Sequence, residues 1–452
     1  MKKLTPVFYL SIILSVMFIL WGAFAPSHLE SVATNLQLSL QMKFDWLYHL
    51  IVGIILLFVL YLACSKYGNI KLGKDNEQPT YSTFSWFAML FSAGMGIGLV
   101  FWGVSEPLSH YYNPPIGDTQ SQTALNNALP FTFFHWGLHL WAIYALVALA
   151  LAYFTFRKNL PGTISATFYP LLGDFVRGPI GMLIDTFAVL ATVFGVATSL
   201  GFGAIQINGG LHYLNNSIPY GFSTQFIIII GITFLFMISV LSGIEKGLKL
   251  MSNINIVLAI LLLFFFISFG PTTFLFKSFI TSLGRYAAIL PSINFSLAPL
   301  SQHGDKWIHN WTIFYWAWWI SWSPFVGSFI ARISKGRTIR EFVIGVLAAP
   351  TGFCALWFTV LGGTGSQFDL SGNGGIWMAM NQGLNSENAL FATLNQLPFS
   401  TITIVVSIIL IGTFFITSAD SATFVMGMQT TNGMLHPPNH IKAIWGIIQA
   451  AA

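Results

Sequence analysis

Long apolar segments separated by short polar loops run through the whole chain. Each segment holds about 20 residues with few charges, the length that a helix needs to cross roughly 30 Å of hydrocarbon. The segments fall near residues 7–26, 45–65, 83–104, 130–154, 183–207, 224–242, 252–270, 308–331, 342–362 and 398–426, and an eleventh starts near Ile441. This pattern predicts an all-α polytopic membrane protein.

The remaining sequence pattern does not divide the chain into separate domains. Residues 273–290 are predicted to form an amphipathic helix at the membrane interface. Neither an internal repeat at a period of about 20–50 residues nor a low-complexity linker interrupts the chain, so we expect a single transmembrane domain over 1–452. The sequence stops at Ala452, inside the eleventh segment, and we expect a fold that is truncated within that helix.

Composition excludes a soluble protein. Only 7% of the 452 residues are charged, 55% are hydrophobic, and the mean hydropathy is +0.72, whereas a soluble domain carries roughly 25% charged residues. So few charges cannot cover a water-exposed surface, so most of the chain must face lipid or other helices. The net charge of +5 does not indicate nucleic-acid binding, because the basic residues lie in loops between apolar segments.

The basic residues also predict an orientation. With the N-terminus inside, all but four of the 19 Lys and Arg residues fall in cytoplasmic loops. The four exceptions are Lys43, Lys277, Arg285 and Lys306. The positive-inside rule therefore predicts a multi-pass protein of a bacterial-type inner membrane with a cytoplasmic N-terminus.

Three glycines occupy alternate positions of the third segment: Gly94, Gly96 and Gly98. Glycine costs about 1 kcal/mol relative to alanine inside a helix, so this stretch favours local unwinding. Transporters use such breaks near the midplane to hold substrate and coupling ions. Close helix packing through small residues is the alternative, and spacing alone leaves both open.

Aromatic residues crowd the fourth and eighth segments. Trp319 and Trp322 share a helix face near the middle of the eighth segment, away from the interfacial belt where membrane tryptophans usually lie. Tryptophan faces attract a cation without a formal negative charge, and several rings can enclose a trimethylammonium group. In the fourth segment, Trp141 and Tyr144 share a face. A helix turns about 100° per residue, so in a straight helix Trp136 points roughly 140° away from Trp141. The three residues can line one cavity if that cavity is wide or if the helix is distorted near Gly137.

A few polar residues remain as candidates. His135 and His139 are four residues apart, a spacing that can bind zinc, but no third ligand is evident, so we expect no transition-metal site. Glu106 and Asp185 lie at segment ends and are expected to pair with helix ends or loops. Asp420 lies deeper, where a structural polar role is expected.

Four stretches of the chain resemble the betaine/carnitine/choline transporter (BCCT) family. They are residues 91–108 (FSAGMGIGLVFWGVSEPL), 135–144 (HWGLHLWAIY), 311–325 with 331–341 (WTIFYWAWWISWSPF and ARISKGRTIRE), and 417–421 (TSADS). The resemblance implies a LeuT-type inverted-repeat fold. Its parts would be two extra N-terminal helices (1–82), a first repeat (83–270), an interfacial helix with loops (271–307) and an incomplete second repeat (308–452).

The resemblance also implies a substrate site. Aromatic residues of two helices form the cage, and the glycine stretch of the third helix helps to discriminate among solutes. The residues of this chain that match are Trp136, Trp141, Tyr144, Trp319, Trp322, Met95, Gly96 and Gly98. Choline carriers of the family often place an acidic residue where this chain has Gly98, which favours a zwitterion over choline.

A sodium site is implied between the third and tenth helices. Its hydroxyl ligands match Thr417 and Ser418, and backbone carbonyls around Ser92, Met95 and Phe414 would complete it. The alternative for the hydroxyls is a hydrogen bond to a carbonyl of their own helix.

A second sodium site of the family expects two hydroxyls one turn apart. Thr192 matches the first, but Val196 stands at the second and cannot bind sodium, which leaves the stoichiometry open. The arginine that replaces the ion in sodium-independent members does not occur between Lys249 and Lys277, which favours sodium coupling.

The sequence therefore predicts uptake of a small quaternary-ammonium osmolyte, glycine betaine foremost, by sodium symport through alternating access. Partners would be the solute, the lipid bilayer and, as in many family members, a homotrimer; no cofactor besides sodium and no nucleic acid is expected. The alternatives are a choline or carnitine carrier, and an inactive truncated relic or membrane sensor. An enzyme is not expected, because no segment carries paired carboxylates or a nucleophile–base pair.

Overall fold

The computed structural model describes residues 4–94, 96–242, 244–297, 302–372, 374–381, 386–434 and 436–452. Within these ranges only the backbone is described at 88, 91–94, 242, 244–250 and 302. The regular structure of the described residues is helical.

Two π-helical turns extend this helical framework, one after α6 (Tyr153–Arg157) and one before α13 (His309–Ile313). The α-helices are α1 (Pro6–Phe24), α2 (Pro26–Cys64), α3 (Thr83–Gly94), α4 (Ile97–Tyr112), α5 (Gln122–Trp136), α6 (Leu138–Ala152), α7 (Tyr169–Leu172), α8 (Pro179–Leu214), α9 (Phe222–Ser242), α10 (Ile244–Phe269), α11 (Thr272–Ile293), α12 (Gln302–Ile308), α13 (Phe314–Ile333), α14 (Ile339–Ser371), α15 (Gly375–Asn381), α16 (Ala389–Leu394), α17 (Ser400–Gln429) and α18 (Asn439–Ala451).

Eight helices of the described ranges are long and apolar enough to cross a membrane, judged by length and composition. They are α1, α2, α5 joined to α6, α8, α9, the part of α10 from Met251, α14 and α17. This confirms the predicted all-α polytopic architecture. The predicted segments 83–104 and 308–331 are not among the eight: the first is broken in the middle, and α13 contains four tryptophans and three serines.

The second helix differs from its prediction over 45–65. It begins at Pro26 and runs for 39 residues, or about 58 Å at 1.5 Å per residue, well beyond the hydrocarbon core. Residues 27–44 mix polar and apolar side chains and were not predicted as part of a membrane-spanning helix, but they contain neither glycine nor proline to end a helix. The amphipathic helix predicted over 273–290 is α11.

Glycines set the closest approaches inside the bundle. A Cβ on Gly327 of α13 would lie 2.7 Å from Val147 of α6, and one on Gly362 of α14 would lie 2.6 Å from Pro107 of α4. Without Cβ atoms these helix backbones come together, as is common between membrane helices. This close contact holds α13 and α14 against the helices that carry the glycine break and the aromatic residues.

The loops that the charge pattern assigns to one side of the membrane are in contact with each other. Arg157 forms a 2.7 Å ion pair with Asp75, and the Lys335 ammonium lies 2.7 Å from the Glu77 carboxylate. The hydrogen bond from Lys335 lowers the pKa of the Glu77 carboxyl below its usual value. Arg340 donates to the Ala63 carbonyl at 2.8 Å. The end of α2, the loop after α6 and the start of α14 therefore lie on one side, as predicted.

We predict that Gly345→Ala destabilises the protein by about 1–3 kcal/mol, the usual cost of overpacking a core. A Cβ there would overlap the Trp86 indole, which cannot retreat because its Nε1 donates to Ser334 at 3.0 Å and Arg337 lies 4.1 Å above its ring. Thermal unfolding in detergent, followed by tryptophan fluorescence, measures the effect. Gly352→Ala on the same helix is the control, because open space surrounds Gly352; equal melting temperatures for the two variants would contradict this packing.

Candidate functional site

The predicted interruption of the third segment is present. Helix α3 ends at Gly94, Gly96 is extended (φ −125°, ψ −167°), and α4 begins at Ile97. Met95 lies outside the described residues, and of Ser92 only the backbone, within α3, is described. The last carbonyls of α3 and the first N–H groups of α4 lack partners within their own helices, so they can contact a ligand.

A second interruption occurs at Gly137. Helix α5 ends at Trp136, Gly137 has φ −100° and ψ −130°, and α6 begins at Leu138. A Cβ on Gly137 would overlap the Phe133 carbonyl, so this bend requires glycine. The bend frees Trp136 from the straight-helix angle that would separate it from Tyr144.

Four of the predicted site residues form one buried group, which we call the aromatic cluster: Trp136, Trp141, Tyr144 and Trp319. The Trp319 ring lies 4.9 Å from Trp136 and 6.5 Å from Tyr144, and Tyr144 lies 5.7 Å from Trp141. All three pairs are edge-to-face, at 68° to 88°, and no ring is more than 4% exposed. Perpendicular rings place the edge of one ring against the face of the next, and ring faces are the surfaces to which a cation is attracted.

Two further rings support Trp319 from behind. Trp318 stacks on it at 4.7 Å and Tyr315 at 5.5 Å, with planes within 16° of parallel. The Trp319 Nε1 donates to the His135 carbonyl at 3.1 Å. The orientation of Trp319 is therefore fixed by stacking and by a hydrogen bond to α5.

Trp322 is placed differently from the aromatic cluster. Its Nε1 donates to the Gly195 carbonyl of α8 at 2.6 Å, and its ring contact is with Phe325 at 5.5 Å. The outer edge of the indole reaches the helix break, where a Cβ on Gly96 would lie 3.8 Å from both the Trp322 ring and the Ser418 hydroxyl. Trp322 thus connects α13 to the break and to α17.

Gly98 lies directly against the aromatic residues. A Cβ there would be 2.9 Å from the Trp136 ring and 3.0 Å from the Trp318 ring. Any side chain at this position would have to displace one of these rings, so the glycine sets the distance between α4 and the cluster.

Two neighbouring hydroxyls of α17 have different surroundings. Thr417 donates to the Thr413 and Phe414 carbonyls, both at 3.1 Å, and accepts from Asn255 Nδ2 at 2.9 Å. Its hydroxyl thus makes the hydrogen bond within its own helix that was considered as the alternative. Ser418 is half-buried beside Gly96. Asn255 was not singled out in the sequence, although it is an amide inside an apolar segment.

The two positions considered for a second sodium site carry one hydroxyl between them. Thr192 is buried and donates to the Ala188 carbonyl of its own helix at 2.9 Å. Val196, one turn on, is fully buried and offers no oxygen from its side chain.

The expectation for Glu106 was wrong. Its carboxylate is fully buried and accepts from His135 Nδ1 (2.8 Å), His110 Nε2 (3.2 Å), Trp136 Nε1 (2.7 Å) and the Tyr315 hydroxyl (2.5 Å). The reason is that α4 continues to Tyr112, so Glu106 lies within the helix and faces α5 and α13. This group, the Glu106 network, joins three helices at one carboxylate.

The two histidines four residues apart have separate partners because Gly137 interrupts the helix between them. His139 Nε2 lies 2.5 Å from Asn294 Oδ1, whereas His135 belongs to the Glu106 network. Glu106, His110 and His135 are close enough to hold a metal ion. Their contacts are already hydrogen bonds, so a metal would have to displace a proton from each ring.

The other two acidic groups are also paired. Asp185 accepts from the backbone and the hydroxyl of Ser165 at 2.8 and 2.6 Å, which confirms the predicted loop pairing. Asp420 lies one turn after Thr417 on α17, and its carboxylate accepts from the Ser239 hydroxyl at 2.6 Å. This contact between α17 and α9 agrees with a structural role.

A helical membrane protein with a glycine break, a bent neighbouring helix and a buried cage of aromatic rings has the build of a transporter for a small solute. The sequence profile of the BCCT, betaine/carnitine/choline family transporters, matches residues 6–452. The chain belongs to this family and is a multi-pass membrane transporter of the betaine/carnitine/choline type.

Curated relatives point to the same class. The chain is 52% identical over 452 residues to the glycine betaine transporter OpuD of Bacillus subtilis (strain 168), covering 100% of this chain and 87% of the relative. It is 45% identical over 450 residues to a probable glycine betaine transporter of Desulfitobacterium hafniense (strain Y51), covering 100% and 89%. An ectoine/hydroxyectoine transporter of Virgibacillus pantothenticus is 41% identical over 448 residues, covering 99% and 88%.

Proposed function

We propose that this chain takes up glycine betaine, with sodium as the coupling ion. The observation that carries the proposal is the aromatic cluster of Trp136, Trp141, Tyr144 and Trp319, buried beside the break between α3 and α4. The two relatives described as glycine betaine transporters support this choice of solute.

The chemistry of the cluster suits a quaternary ammonium group. Such a group offers no N–H donor, so it is bound by faces of aromatic rings and not by hydrogen-bond acceptors. Rings also avoid the cost of a bare carboxylate at membrane depth. Gly98 itself carries no acidic side chain where choline carriers of the family often have one, which favours a zwitterion. The 41% identical ectoine/hydroxyectoine transporter makes ectoine the second candidate solute.

Sodium would bind where α17 meets the break. The hydroxyls of Thr417 and Ser418 and carbonyls around Ser92, Met95 and Phe414 are oxygen ligands of the kind that an alkali cation prefers, and unwound helices supply such carbonyls. The short distance between Ser418 and Gly96 supports a shared site. One sodium ion is the minimum; Val196 argues against a second site of the expected composition.

The remaining features are proposed on the same basis. Alternating access would follow from a LeuT-type arrangement in which α1 and α2 precede two inverted repeats. The contacts among the basic loops support a cytoplasmic N-terminus in a bacterial inner membrane. A homotrimer remains a prediction from the family.

Cells that lack other osmolyte carriers and express this chain are expected to accumulate labelled glycine betaine with sodium outside and far less with potassium.

Removing both hydroxyls (Thr417→Ala with Ser418→Ala) should raise the sodium concentration for half-maximal uptake by about tenfold or more, since two oxygen ligands are lost. Thr413→Ala is the control, because its hydroxyl bonds only its own helix. For the unmodified chain, equal uptake in sodium and in potassium would contradict sodium coupling. An absence of uptake would contradict glycine betaine as the transported solute.

We expect Trp319→Leu to weaken glycine betaine binding about 30-fold, because a desolvated cation–π contact contributes about 2 kcal/mol. Binding is measured by titration of purified protein. The matched control is Trp46→Leu, since Trp46 is 52% exposed on α2. An unchanged Kd in Trp319→Leu would show that the solute binds outside the aromatic cluster.

A further inference from the structure

Trp136 is the ring of the aromatic cluster that is hydrogen-bonded directly to a carboxylate. An indole N–H can only donate, so Glu106 Oε2 is the acceptor of the 2.7 Å contact with Trp136 Nε1. The same oxygen accepts from the Tyr315 hydroxyl at 2.5 Å, and Tyr315 stacks on Trp319 at 5.5 Å. The carboxylate therefore lies behind two rings of the cluster.

The hydrogen bonds indicate that Glu106 is ionised. A carboxylate offers about four lone-pair sites, and here two donors meet each oxygen. A protonated carboxyl would lose one of these acceptor positions. Within the described side chains, the ion pairs of Glu106 are with histidines alone and not with Lys or Arg.

The histidines need not carry the compensating charge. His110 Nδ1 is buried and has no hydrogen-bond partner, which suits a neutral ring whose proton is on Nε2; an imidazolium would bury an unpaired N–H. His135 Nε2 lies 3.1 Å from the Thr312 hydroxyl, which can donate to a neutral ring. With both rings neutral, the Glu106 network places one uncompensated negative charge inside the bundle, which would favour a cation nearby.

We propose that Glu106 is the counter-charge of the substrate's quaternary ammonium group and acts through the Trp136 indole without touching the substrate. This inference rests on the proposed function. A carboxylate that accepts the indole N–H makes the π face more negative, which strengthens its attraction for a cation. The direct attraction between the carboxylate and the ammonium group adds to this. At a separation of about 10 Å and an effective dielectric constant of about 20, Coulomb's law gives a gain of roughly tenfold in affinity.

The location behind the rings also explains how a zwitterion is tolerated. A carboxylate inside the cavity would face both ends of the solute and would repel its carboxylate. From behind Trp136 the charge acts most strongly on the ammonium end, which lies against the rings. Glu106 is therefore a specificity-determining residue that acts through Trp136.

The test compares two solutes of the same shape. Glycine betaine carries a trimethylammonium group, and 3,3-dimethylbutanoate carries a tert-butyl group in its place. The affinity of each is measured on purified protein in sodium buffer, by titration for betaine and by competition against labelled betaine for the carbon analogue. We expect Glu106→Gln to lower the ratio of the two affinities (betaine over analogue) at least about tenfold, because only the cation senses the lost charge.

Tyr315→Phe is the matched control. It removes one hydrogen bond from the same oxygen of Glu106 but keeps the carboxylate and the stacked ring, so the affinity ratio should stay within about threefold of the wild-type ratio. The proposal is contradicted if Glu106→Gln keeps the wild-type ratio of betaine to analogue affinity, or if both variants lower this ratio equally. Either result would show that the network only holds the helices together. If the analogue does not compete with betaine, the betaine Kd of Glu106→Gln and that of Tyr315→Phe are compared with the wild-type Kd in place of the ratio.

Two checks keep the outcomes distinct. If the wild-type protein does not bind betaine, the proposed function fails; if it binds betaine and the two variants behave alike, only the role of Glu106 fails. Thermal unfolding verifies that Glu106→Gln is folded. Should it unfold, infrared spectra of the wild-type protein with isotope-labelled glutamate decide: a protonated carboxyl band that changes on betaine binding would overturn the proposal, and its absence is expected.

Discussion

Backbone groups that leave a helix inside a membrane protein must find partners within the bundle, because lipid offers none. The break between Gly94 and Ile97 creates such groups, and the surrounding helices are arranged around them. Helix α13 brings Trp322 and Trp319, α17 brings Ser418, and α8 accepts the indole proton of Trp322. The carbonyl and N–H groups freed at the break are therefore available to the solute and the ion that we propose.

Few ionisable side chains lie inside this bundle, and their positions follow from the free-energy cost of burying a charge. An ionised group at membrane depth is expensive unless it is paired or hydrogen-bonded. Glu106 meets this condition with four donors from three helices, and the neighbouring cluster consists of uncharged aromatic rings. Rings hold a cation without fixing it as tightly as an ion pair would, which suits a carrier that must release its solute.

The sequence predicted local features well. Apolar length identified the eight long apolar helices, alternating glycines identified the break, and a distortion near Gly137 was considered as one way to unite Trp136 with Tyr144. Features that depend on tertiary contacts were not predicted. The start of α2 at Pro26 was missed because residues 27–44 mix polar and apolar side chains, and the burial of Glu106 was missed because its partners come from α5 and α13. Neither the different place of Trp322 nor the contact of Asn255 with Thr417 follows from spacing, since both depend on how α8 and α10 pack.

We propose that glycine betaine at the aromatic cluster and sodium at the adjoining break bind as one coupled site, and their effect on each other's binding tests this most directly. Calorimetric titration of purified protein gives the Kd of glycine betaine in sodium and in potassium, and the Kd of sodium with and without betaine. Because linkage is reciprocal, each ligand should tighten the other by the same factor, about 5- to 150-fold for a typical coupling. Betaine binding with one Kd in both salts would contradict a shared site.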